Sequence, residues 1–158
     1  MSTSKVFTVG QVLTAALMND LPQGSLGITR QTADIGPTVG TTELGVITAP
    51  PVTIAGSNRR IRISFHARGI DSTVAGDVHQ LRIKEGATVL NDSYYVATTG
   101  STTEAKASDF QAIVDSPSVG SHTYSVTIQR IAGTGVATVR GTATAPQLLN
   151  VEDIGAVP

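Results

Sequence analysis

Three histidines, scattered carboxylates and a run of arginines are the side chains whose chemistry could define a site. His66, His79 and His122 are far apart in the chain, so no two have the short spacing of a metal-ligand pair on one element. Asp71, Asp77, Asp92, Asp109, Asp115, Glu104 and Glu152 are spread through turn-like stretches, and they do not supply the closely placed oxygens of a calcium loop. Two of them could work as an acid and base pair only if the fold assembled them. Serine and threonine are abundant, but there is no GxSxG elbow and no GxxxxGK phosphate loop, and the glycines of VAGD, KEGA and GTG fit turns. The lack of cysteine removes thiolate ligands and disulfides. No catalytic residue, cofactor or metal is expected.

Recognition chemistry has better candidates. Arg59, Arg60, Arg62 and Arg68 concentrate positive charge, with Arg82 on another strand, and a guanidinium fork pairs bidentately with oxyanions. Arginines of this kind more often form exposed salt bridges of little energetic value. Tyr94 and Tyr95 are adjacent, so in an extended chain one faces inward and one outward. Arg60, Arg62, Arg68 and Tyr95 are the expected surface recognition residues, for an anionic or glycan partner on a host surface. A net charge of -1 offers no general attraction to nucleic acid. No apolar run is long enough to cross a bilayer as a helix, and the opening MSTSKVFTVGQ lacks a secretory h-region, so no membrane insertion is expected.

The elements that must carry these groups are short strands. In Arg59 to Gly69, Ile61, Ile63 and Phe65 alternate with Arg60, Arg62, Ser64 and His66, a period of two that suits a half-buried strand and no helix. Tyr124, Val126 and Ile128 repeat the pattern. Further strands are expected at 46–54 with a break at Pro50 and Pro51, at 78–84, 87–90, 94–96, 110–114 and 136–145. Turns are expected at Glu85–Gly86 and Asn91–Asp92, and a tight hairpin at Gly133–Gly135. The fold class is therefore all-β, an antiparallel two-layer β-sandwich over 41–146, with jelly-roll topology preferred and an immunoglobulin-like one open. Its inward set is Val46, Ile54, Ile61, Ile63, Phe65, Leu81, Ile83, Leu90, Phe110, Ile113, Tyr124, Val126, Ile128 and Val139.

The two ends read differently from this middle. Residues 1–40 are expected to form a short helix capped by Thr14, with Leu13, Leu17 and Leu21 along one face, and then an irregular arm with an extended piece at Leu26–Thr29. So short a helix needs something to pack against, either its own domain or a partner. Residues 147–158 are too apolar for a solvated tail, and form either a last strand of the same sandwich or a strand added to a neighbouring subunit. Val12, Leu13, Leu17, Met18, Leu21, Leu149, Val151 and Ile154 are the expected assembly contacts.

The opening VFTVGQVLTAALMNDL resembles the amino-terminal segment of tailed-bacteriophage virion proteins, especially minor tail proteins of phages infecting actinobacteria. The closing PQLLNVEDIGA is similar to the carboxyl end of compact β-sandwich modules of that group. The likeness covers about the first 20 and last 12 residues, and Phe7 and Val9 stand where many relatives carry an aromatic residue just before the motif glycine. The resemblance implies a non-enzymatic virion structural protein, assembled with other virion proteins as a homo-oligomer, with a trimer expected. It would be tail-associated through its amino-terminal arm, or else a capsid decoration protein or a receptor- or glycan-binding tail module. Its expected location is the virion, on the tail or the capsid exterior, after residence in the host cytoplasm.

Overall fold

The computed structural model describes residues 21–38, 40–98, 100 and 106–157, and they form an all-β protein of antiparallel sheets. In chain order the strands are β1 (Gly24–Gln31), β2 (Leu44–Thr48), β3 (Val52–Ile54), β4 (Arg59–Ser72), β5 (Val78–Glu85) and β6 (Thr88–Val96). They continue with β7 (Lys106–Asp115), β8 (Gly120–His122), β9 (Tyr124–Ala132), β10 (Ala137–Arg140) and β11 (Gln147–Ala156). The expected amino-terminal helix, with Val12, Leu13, Leu17 and Met18, lies outside the described residues.

Sheet A has the order β1-β11-β4, with β7 on the other edge of β4 and β10 continuing the β11 edge along the second half of β4. Sheet B has the order β2-β9-β5-β6, and β3 pairs with β8. Setting aside the three shortest strands, β3, β8 and β10, and renumbering the other eight in sequence, sheet A reads 1-8-3-6 and sheet B reads 2-7-4-5. Strands distant in sequence are thus neighbours in both sheets.

Period-two alternation built the core as expected on β4, β5 and β9. Ile61, Ile63 and Phe65 from sheet A and Leu81, Ile83, Val126 and Ile128 from sheet B join one buried cluster. Ile113 does not belong to it and is 51% exposed. It lies three residues from Phe110, which packs against the core, and alternation puts the two on opposite faces of β7; Ala112 fills the inward position instead.

Three local expectations fail because pairing outweighs turn chemistry. Asn91 and Asp92 do not break the chain: β6 runs through them, held along β5, with a register shift between Ile83 and Lys84. The Gly133–Gly135 turn does not make a hairpin, since β9 pairs in sheet B and β10 in sheet A, so the turn carries the chain from one sheet to the other. The last strand expected to reach Ala145 ends at Arg140, where a side chain on Gly141 would meet the carbonyl oxygens of Gln31 and Ala33 at 2.8 and 3.0 Å.

The carboxyl-terminal segment is no appendage. β11 lies between β1 and β4, and Leu149 and Val151 are fully buried there. Both are core residues and are closed to a partner, while Ile154 is half-buried on the outer phase. Arg59 and Asp153 form a buried fork, Nε to Oδ2 at 2.8 Å and Nη2 to Oδ1 at 2.6 Å, and Arg59 Nη2 also donates to the Leu21 carbonyl at 2.6 Å. That contact ties the half-buried Leu21 to the start of β4. The extended piece expected within the arm is β1, an edge strand of sheet A.

Candidate functional site

The outer face of sheet A is laid out by the outward phase of β4, Arg60, Arg62, Ser64 and His66, with antiparallel register setting their neighbours. His66 stands between Leu148 of β11 and Asp109 of β7, Ser64 between Asn150 and Gln111, and Arg62 between Glu152 and Ile113. A groove of about 460 Å³ opens over the first two of these rows, lined by Ser64, His66, Asp109, Gln111, Leu148 and Asn150. Its size is in the range of ligand sites, and it combines an apolar lining with a few convergent polar groups.

Its electrostatics follow from which groups are already engaged. Arg60 forms a bidentate fork to Asp115 at 2.6 and 2.9 Å, and the Arg60 bond holds the Asp115 carboxyl below its ordinary value. Arg62 binds Glu152 through Nε at 2.8 Å and Nη2 at 2.6 Å. Both guanidinium groups are thus engaged in partly exposed salt bridges, the commoner of the two roles expected for them. Arg68 is exposed, and its charge helps the Arg140 and Gly141 contacts lower the Asp34 carboxyl. Within the groove, His66 Nδ1 and Asp109 Oδ1 are 2.5 Å apart, and both residues are exposed. Ser25 Oγ donates to Asn150 Oδ1 at 3.1 Å, which orients the amide and leaves its Nδ2 to donate. The groove can therefore offer hydroxyl, amide, imidazole and carboxylate edges.

Tyr95 is not the outward tyrosine. It packs against the core and burial raises its hydroxyl, with Asp71 adding to the shift, while Tyr94 is 56% exposed. The Tyr94 hydroxyl accepts from Gln80 Nε2 at 3.0 Å and lies 3.4 Å from Asp92 Oδ2, which Gln80 also contacts. Gln80 Oε1 in turn accepts from Arg82 at 2.5 Å and from Gln129 at 3.2 Å. The sequence signalled an alternating pair, but not which member the β5 register would expose.

A buried cluster brings Ser72, Asp77 and His79 together, a grouping that sequence spacing did not suggest. Ser72 Oγ donates to Asp77 Oδ2 at 3.0 Å, and His79 Nε2 lies 3.3 Å from the same hydroxyl. The hydroxyl proton is thus engaged by the carboxylate, and Nε2 must donate to the oxygen, the reverse of a base drawing a proton from a nucleophile. His79 Nδ1 is buried with no partner, and no carboxylate orients it. Burial lowers His79, Asp77 opposes this, and Arg130 reinforces it. His122, also buried, behaves oppositely. Burial alone would lower it, but the Glu85 carboxylate at 2.5 Å, the Ser118 carbonyl at 2.8 Å and the Glu85 charge raise it overall. Of the three histidines, His66 alone is exposed on an outward phase.

Among the described residues no group of three or more His, Asp or Glu is placed to hold a metal. No described helix is long and apolar enough to cross a membrane. No protein-family model and no curated protein matches the chain. Among solved structures the chain is similar to a carbohydrate-binding module from Cellvibrio mixtus lichenase 5A, solved in complex with cellotriose. The identity is 20% over 89% of this chain and 95% of that one, with a TM-score of 0.38. Similarity that loose carries no argument about a ligand, and the groove has to be read from its own residues.

Proposed function

We propose that this protein is a non-catalytic recognition module that holds a neutral glycan in the groove on the outer face of sheet A. The reading is carried by one observation: the arginines bordering the groove are matched to Asp115 and Glu152, while Ser64, Gln111, Asn150 and the His66–Asp109 pair remain as hydrogen-bonding edges. A polyhydroxylated ligand needs paired donors and acceptors more than a net charge, and planar amides and carboxylates supply them. The interleaved strand order supports a two-layer jelly roll as the scaffold, a rigid sheet face on which such groups keep their spacing.

A glycan array with the purified full chain tests the reading. Neutral oligosaccharides are expected to bind, and a Gln111→Ala, Asn150→Ala double variant is expected to lose that binding with an unchanged melting temperature. Binding confined to acidic glycans, or binding unaffected by the double variant, would overturn it.

The likeness of the chain ends to tailed-phage virion proteins favours a virion as the setting, with tail association first and capsid decoration second. Imaging of labelled protein on intact particles distinguishes tail from head, and particles without label would remove the virion setting. Oligomeric state, with a trimer proposed, is read by light scattering.

A further inference from the structure

The groove on sheet A does not end at β7. A second depression, of about 390 Å³, runs between the edge strands β6 and β7 and is lined by Ser93–Val96 and Lys106–Asp109. Asp109 belongs to both hollows. The two edges are tied beside the groove, because Asn91 Nδ2 on β6 donates to the carbonyl of the groove residue Gln111 on β7 at 2.6 Å. At the far side of the second hollow stands Tyr94, with its hydroxyl fixed by Gln80 and more than half of the residue open to solvent. Lys106 and Asp109 place one charge of each sign along the cleft, so its lining has no dominant sign.

We infer that groove and cleft form one binding path, which takes a linear neutral oligosaccharide round the β7 edge from Asn150, past Asp109, to a terminal stacking position on Tyr94. The inference rests on the glycan reading of the groove and specifies the ligand further, as a chain long enough to pass the edge. A short sugar occupies the groove alone. A longer one adds the cleft, where the pinned phenol presents an aromatic flank to the apolar face of a sugar ring. Because the Tyr94 hydroxyl is held by Gln80, little freedom is lost when the ring is covered.

Calorimetric titration of the full chain with linear glucose, mannose and xylose homopolymers, each offered as a disaccharide and as a longer oligomer, tests this. For the sugar series that binds, the longer oligomer is expected to bind about tenfold more tightly than the disaccharide. Tyr94→Ala should abolish that gain and leave disaccharide binding unchanged, while Tyr94→Phe, which keeps the ring but loses its tie to Gln80, should retain it only in part. Equal affinity for short and long chains, or a gain that survives Tyr94→Ala, overturns the continuous path and leaves the groove reading standing. No binding by any series to the wild-type protein overturns the groove reading, and the path with it.

Discussion

At the scale of single residues, two buried histidines shift in opposite directions. His79 is fully buried, and that burial pushes it below its ordinary value of 6.5. An unfolded chain then binds a proton that the folded one refuses, so this contribution to stability is intact above about pH 6.5 and is lost as pH falls below it. His122, raised by Glu85 and Ser118, has the opposite sign: its contribution is present below 6.5 and is lost as pH rises through its folded value. Denaturant titrations across pH should therefore show His79→Gln flattening the acid-side loss, and His122→Gln flattening the loss on the alkaline side of 6.5. Identical pH profiles for both variants and wild type would remove these assignments. None of this was readable from histidine positions alone. Strand phase is visible in the sequence, but whether a phase faces water depends on what lies over it.

At the scale of elements, β11 is the last strand that its sequence allowed, in a place that its sequence did not indicate. Its apolar content excluded a solvated tail. Its place at the centre of sheet A was not legible, because pairing with β4 and β1 depends on residues about 90 to 125 positions away. Leu149→Ala should cost about 2–5 kcal/mol, as expected for a fully buried leucine in a packed core. Ile154→Ala, half-buried on the outer phase, should cost clearly less in the same urea titration; equal losses would put β11 in the wrong register. The sheet-crossing turn makes a comparable demand. Gly133 has φ of 90°, and a Cβ there would come within 1.8 Å of Asp77 Oδ1. That carboxylate oxygen accepts from the Thr134 backbone N–H at 3.0 Å. Gly133→Ala should destabilise by more than about 1 kcal/mol, and a neutral result would show that the turn can relax away from Asp77.

At the scale of the whole molecule, the two ends of the described chain meet in one sheet, β1 against β11, and the Arg59–Asp153 fork lies beside Leu21. Removing residues 147–158 takes out a central strand and leaves β1 without its partner, so that variant should fail to fold by circular dichroism. Removing residues 1–20 leaves every described strand in place and should preserve the melting transition; if it does not, the leading segment is part of the core. The all-β class, the inward face of β4, β5 and β9, and the outward row of Arg60, Arg62, Ser64 and His66 were legible in the sequence, because a period of two is a local property of an extended chain. The tertiary structure alone decided that β11 is central, that Tyr94 and not Tyr95 is open, that the arginines are matched by Asp115 and Glu152, and that Asp109 joins groove to cleft. Each of these depends on which distant strands lie side by side, and a strand's own alternation carries no information about its partners.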